Sequence, residues 1–301
     1  MPTINTGDLT IPKQYFDPFV KNLHEGSVIS QLSGATPMKF GPGEAFIIDA
    51  GEAEYVGEGQ NKSSSAITSR TQTFEPYKFH KTVRLTNEFE WANQDHQLGV
   101  LEQILAKIQP ALTRALDFGV LHGINPMTGD AVTAMANNNL GKVSQTVTPA
   151  DGAEPYEILD AADIPLLTAG YTPSGIAADP KFLVPFRSAR TKDGVKLYPN
   201  LGFDGVSDLE GHRTAVSRTV AARGVMGEAG SGVSAFVGDF SAITWGIQKQ
   251  IGLERIEYGD PDGGGDLKRN NQVAFRAEIV YGWGIQDMEA FAKIAEPAAG
   301  E

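Results

Sequence analysis

AFIIDAGEAEYVGEG (45–59), QNKSSSAITSR (60–70) and TQTFEPYKFHKTVRLTNE (71–88) make up the stretch on which the fold turns. The first and last read as the two limbs of a long hairpin and the middle as its polar, Ser-rich tip. In the returning limb Tyr77, Phe79, Val83 and Leu85 share one face and Lys78, His80, Thr82, Arg84 and Thr86 the other, the alternation of a half-buried strand. The outgoing limb carries Asp49, Glu52, Glu54 and Glu58 and the returning limb Arg70, Lys78, Lys81 and Arg84, so paired limbs are expected to face opposite charges. Each such pair is worth only about 0.2–1 kcal/mol. Length says more than charge: about sixteen residues at roughly 3.3 Å each reach about 50 Å. A compact chain of this size has a radius of gyration of about 19 Å. A ribbon of two strands is only marginally stable alone, so this one is expected to lie on a neighbouring subunit.

Working outward, Gln97 to Gly123 sets Leu101, Ile104, Leu105, Ile108, Leu112, Ala115 and Leu116 at helical spacing, the strongest helix pattern in the chain. Pro110 lies inside it and, at about 3 kcal/mol in an ordinary helix interior, predicts a kink or two abutting helices. GINPMTG (123–129) ends the helix, and an Asn-, Thr- and Gly-rich stretch leads to a domain crossing near Asp151. A helix over 155–169, a strand in SGIAADP (174–180), a helix over 180–191 and Gly-rich turns to Gly232 are expected next. VSAFVGDFSAITWGIQKQIGLERIEYG (233–259) reads as strand, turn and strand, and DPDGGGD (260–266) as a flexible, solvated loop. NNQVAFRAEIVYGWGI (270–285) alternates Val273, Phe275, Ala277, Ile279 and Tyr281 against Gln272, Ala274, Arg276 and Glu278. The mixture is α+β. On the other side of the hairpin, five prolines up to Pro42 and a short helical pattern in Phe16, Phe19, Val20 and Leu23 read as an extended arm with one short helix.

The chain has 301 residues, 41% of them hydrophobic, which suffices for real cores. A net charge of -12 argues against a nucleic-acid grip spread over the molecule, because phosphate neutralisation needs clustered Lys and Arg. With no cysteine, disulfides, thiolate metal sites and cysteine nucleophiles are excluded. The N-terminus lacks the pattern of a signal peptide and no apolar run approaches a membrane span, so a soluble intracellular product is expected. His24, His80, His96, His122 and His212 form no H-x-x-x-H pair. DPDGGGD lacks the glycine at six and the acid at twelve of a calcium loop. Gly230 and Gly232 are not framed by a strand and a helix, so no dinucleotide fingerprint is present, and neither a G-x-S-x-G elbow nor a Walker A lysine occurs. No metal or cofactor is expected.

TIPKQYFDPFVKNLHEGSVISQL (10–32), YVGEG (55–59), LHGINPMTGD (121–130), SGIAADPKFLVPFRSARTKDG (174–194) and VGDFSAITWGIQKQIGLERIEYG (237–259) before the final strand, taken in that order, resemble the HK97-like major capsid proteins of tailed bacteriophages. The resemblance covers nearly the whole chain. It implies an N-terminal arm (1–43), an extended loop (44–86) and a peripheral domain (87–152, with a spine helix at 97–123) completed by 255–280. It further implies an axial domain (153–254) completed by 281–301. A chain of this kind assembles with itself into hexamers and pentamers of an icosahedral virion shell, in the host cytoplasm. The shell encloses double-stranded DNA behind an acidic inner face, without sequence-specific binding and with no membrane. Portal, decoration and scaffolding proteins are the implied partners. Some relatives carry a cleaved scaffolding segment ahead of the arm; this chain begins almost at the arm, which implies a separate scaffold. Encapsulin shells share the fold and stay open as an alternative, as does a soluble α+β enzyme using scattered carboxylates.

The resemblance also implies a reaction. In the founding member subunits join through a self-catalysed Lys to Asn isopeptide bond assisted by a Glu. Its lysine precedes an Ile-Thr pair by five residues, as Lys62 precedes Ile67 and Thr68, and its Asn-to-Glu interval is matched from Asn271 to Glu278. Lys62 as nucleophile, Asn271 as acceptor and Glu278 as base are chemically coherent if an apolar seam raises the Glu278 pKa. Seven residues apart in an unbroken strand, Asn271 and Glu278 are expected on opposite faces, which fits a site shared among subunits. The bland alternative is a solvated Lys62, a turn at Asn271 and a Glu278 paired with Arg276.

Overall fold

The computed structural model describes residues 26–49, 53–62, 64, 68–88, 94–150, 152–199, 201, 206, 208–227 and 230–296. The expected arm helix at Phe16 to Leu23 and the hairpin tip at 65–67 lie outside them. Two sheets organise the chain. The first has strand order β1-β2-β9-β8, from β1 (Gly43–Asp49), β2 (Thr68–Thr86), β9 (Gln272–Ile285) and β8 (Ile243–Ile256), with every pair antiparallel. The second has order β3-β10-β7-β4-β6-β5, from β3 (Thr146–Val147), β10 (Phe291–Ala295), β7 (Val233–Gly238), β4 (Gly175–Ala178), β6 (His212–Val216) and β5 (Asp208–Leu209). The α+β class is therefore observed. β5 and β6 stand where the sequence reading placed only turns; their run is short and flanked by glycines, which masks the alternation.

Among the described residues, four α-helices pack on these sheets: α1 (Val28–Leu32), α2 (Gln94–Asp117), α3 (Pro155–Thr168) and α4 (Leu183–Ser188). The long α2 runs unbroken through Pro110 as one helix, not as two abutting ones. It passes into a π turn at Phe118–His122, and Gly123 ends it in the left-handed region at φ 64°. The turn is tight because Gly119 lies against Trp283, where an added Cβ would come within 2.5 Å of the indole.

The odd-numbered faces of β2 and β9 meet α2. Tyr77, Ile104, Ile108, Leu112, Leu116, Val273, Phe275, Ile279, Tyr281 and Trp283 form one core there, joined by Phe236, Phe240 and Phe291 of the second sheet and its flanks. The other face of the second sheet, with Ile176, Ala235, Val237 and Ile294, buries Ile158, Leu159, Ala162 and Leu166 of α3 and Leu183 and Phe186 of α4. That sheet is thus covered on both faces, which explains the nearly continuous apolar runs in β4 and β7.

The hairpin corrects an expectation. β1 pairs only with the first seven residues of β2, from Gly43↔Phe74 to Asp49↔Thr68, and the rest of β2 pairs with β9. The paired ribbon is therefore about 23 Å long and carries the loop between Asp49 and Thr68. Lys78 and Arg84 stand in the part of β2 that pairs with β9 and have partners outside the outgoing limb. Lys78 Nζ lies 2.8 Å from Glu278 of β9, and Arg84 turns to Asp260 and Asp262.

Candidate functional site

No group of three or more metal-ligating side chains occurs among the described residues, and no described helix is long and apolar enough to cross a membrane. The chemistry worth weighing lies at the hairpin, on the outer face of the first sheet and at the end of α2.

Lys62 stands exposed in the loop between β1 and β2. Asn271 has φ 53° immediately before β9, and Asn87 holds it twice: the Asn87 backbone N–H donates to its carbonyl at 2.9 Å and the Asn87 carboxamide donates to its Oδ1 at 3.1 Å. The left-handed residue breaks the strand before Gln272, so the parity argument for opposite faces does not reach Asn271. Glu278 lies inside β9 opposite His80, its side chain 12% exposed. It is bound by Lys78, not by Arg276, whose guanidinium donates to Thr82 Oγ1 and the Pro261 carbonyl. Within one chain, Asn271 and Glu278 are thus each held by other residues.

The DPDGGGD loop is organised around a cation. Arg84 Nε donates to both carboxylate oxygens of Asp262 at 2.7 and 2.9 Å, its Nη2 reaches Asp260 at 2.7 Å, and its Nη1 donates to the Gly265 carbonyl at 2.9 Å. Fork-to-fork geometry of this kind is specific to Arg. The guanidinium holds Asp262 below the usual carboxylate range. The acids that resembled a calcium loop are ligands of an arginine.

Asp117 at the end of α2 is fully buried, a feature that the apolar spacing did not disclose. Its carboxylate accepts from the Ser27 hydroxyl at 2.5 Å, the Val28 and Ile29 backbone N–H groups at 3.2 and 3.3 Å, and the Thr219 hydroxyl at 2.8 Å. One side chain thereby ties α1, α2 and the turn after β6 together. Burial pushes its pKa up to about 6 against the pull of those donors. His122, one helical turn on, contacts the Thr219 carbonyl through Nε2 at 3.0 Å, and burial lowers its pKa to about 4. The signal in the sequence was a lone acid between Leu116 and Phe118.

A family model described as the phage capsid family matches residues 7–295. The chain belongs to the phage capsid family. A curated relative, the probable major capsid protein gp17 of Mycobacterium phage D29, is 22% identical over 98% of this chain and 94% of its own. Among solved structures, a chain of Mycobacterium phage Ogopogo is 37% identical, with a TM-score of 0.77 over 90% of this chain and 92% of that one. A chain of Gordonia phage Cozz is 30% identical, with a TM-score of 0.76 over 90% and 87%. This phage capsid protein has the HK97-like fold and serves as a major capsid protein of a tailed phage. Self-association and a place in the virion follow from that membership.

Proposed function

We propose that this major capsid protein closes an icosahedral shell from hexamers and pentamers, with the β1–β2 ribbon reaching onto an adjacent subunit. The observation that carries this reading is the ribbon itself: seven paired residues on each side, a long loop beyond them, and Tyr55 in that loop 93% exposed. Such an element has too little of its own chain to bury against. In this reading the spine helix and first sheet make the peripheral part and the second sheet the axial part. Double-stranded DNA fills the shell behind an acidic wall, assembly takes place in the host cytoplasm, and scaffolding, portal and decoration proteins are the outside partners. Electron microscopy of purified assemblies with size-exclusion chromatography tests it: closed shells are expected, and a monodisperse small oligomer at high concentration would overturn it.

Cross-linking is the finer proposal. The Lys62 amine of one subunit would give a proton to Glu278 and attack the Asn271 side-chain carbonyl of another. The new N–C bond forms as the carboxamide C–N bond breaks, and ammonia leaves with the returned proton. Lys78 would have to yield Glu278 for this, and Asn87 would orient the acceptor. Particles boiled in detergent should show covalent ladders that Lys62→Ala removes; monomer alone from the unaltered chain rules the reaction out.

A further inference from the structure

At the root of the hairpin β2 and β9 part. Their pairing stops at Glu75↔Trp283, and the Asn138 side chain enters the gap. Its Nδ2 donates to the Trp283 carbonyl at 3.0 Å and its Oδ1 accepts from the Ile285 N–H at 3.3 Å. A carboxamide carries both a donor and an acceptor, as a strand residue does, so Asn138 completes the edge of β9 in place of β2. A second carboxamide acts in the same way on the far side of the sheet. Gln248, at a bulge in β8, accepts from the Gly41 N–H and donates to the Gly41 carbonyl, both at 3.0 Å.

A third carboxamide has no such partner. Gln72 is 9% exposed, and neither its Nε2 nor its Oε1 is hydrogen-bonded. It lines a cavity of about 360 Å³ in the fork, together with Thr71, Thr73, Asn137 and Gln286. β1 flanks β2 at Thr71–Thr73 on one side. Among the described residues, no strand pairs with the other edge there. A buried amide with neither bond made is costly, and an open strand edge is a liability unless something covers it.

We propose that this fork seats an extended segment of a second copy of the chain. The segment adds as a strand to the open edge of β2 at Thr71–Thr73, and one of its residues gives the Gln72 carboxamide a main-chain N–H and C=O. The lining favours polypeptide: hydroxyls and carboxamides suit a peptide backbone, and the charged lining residue, Glu75, gives nothing to an anion. A second copy is the occupant because copies surround each other in a shell, so the inference rests on the shell reading.

The cysteine-free chain makes the test clean. Asn137→Cys, exposed at the mouth of the fork, is labelled with a benzophenone maleimide, assembled into shells and irradiated. A dimer band from shells but not from unassembled subunits, with one peptide of a second copy attached at position 137, is expected. Cross-links only within the chain, or none, in intact shells overturn the fork and leave the shell reading standing; failure of the unaltered chain to form any shell overturns both. Gln72→Leu supplies the second arm. It should raise the subunit concentration needed for assembly roughly tenfold, the equivalent of two hydrogen bonds of modest net strength. The melting temperature of the free subunit should hold or rise, because an unpaired amide has gone. Assembly at the unaltered concentration overturns the proposal, as does a fall in melting temperature with assembly intact.

Discussion

Asp117 and Gly119 sit two residues apart at the end of the spine helix and limit the protein in different ways. The Asp117 carboxyl has its folded-state pKa raised to about 6 by burial, above the ordinary value of 3.8. An acid raised on folding holds its proton longer in the folded state than in the unfolded one. Its contribution is therefore greatest below the unfolded value and declines as pH rises through about 6, by about 3 kcal/mol in all. Urea midpoints of the unassembled subunit between pH 4 and 7 should show that decline, and Asp117→Asn should flatten it. Loss of the acid also turns an acceptor of four hydrogen bonds into a group with a single oxygen, so the Asn variant should be weaker across the range. At Gly119 the constraint is steric. A methyl group meets Trp283, which is fully buried, and Gly119→Ala should cost about 1–3 kcal/mol in the same measurement.

Between elements, long-range polar contacts fix how loops and helices lie on the sheets. Arg84→Lys keeps the charge of β2 but loses the fork that grips Asp260, Asp262 and the Gly265 carbonyl, so amide exchange across 260–266 should quicken while β2 stays protected. His212 of β6 lies 3.2 Å from Asp163 of α3, which raises the imidazole pKa. That contact stabilises fully below the unfolded value of 6.5 and is lost as pH rises through the higher folded value. The His212→Gln variant should lose it with a cost under about 1 kcal/mol, seen as a convergence of the two melting curves at alkaline pH. These contacts also mark what could be read from the sequence. The alternation at Tyr77 to Leu85 and the spacing from Ile104 to Leu116 were legible because each element buries chiefly one side, whereas in β9 Ala274 and Val280 on the opposite face are buried as well. Which cation meets which acid was not, since Lys78 and Glu278 are 200 positions apart and only the β2–β9 register joins them. The charge pattern pointed to the acids of the outgoing limb, whereas Lys78 lies opposite Val280 of β9. Of the candidate site, Lys62, Asn271 and Glu278 came to notice through resemblance alone. Asp117 and Gln72 escaped because burial of a polar side chain leaves no periodic trace.

At the scale of the whole molecule, a net charge of -12 sets how the surface meets nucleic acid. Few phosphates can be neutralised by such a surface, so subunits or shells should leave the mobility of linear duplex DNA unchanged at about 0.15 M salt. A retarded band would count against a passive container. The two sheets are joined by two short connectors, 239–242 between β7 and β8 and 286–290 between β9 and β10. These connectors are bonded to each other: the Gln286 N–H donates to the Ala242 carbonyl at 2.8 Å and the Asp239 N–H to the Ala290 carbonyl at 3.1 Å. Mechanically they form a double-leaf hinge. A displacement of one sheet would reach the other through both leaves at once. Sliding one sheet past the other would have to break both of those hydrogen bonds.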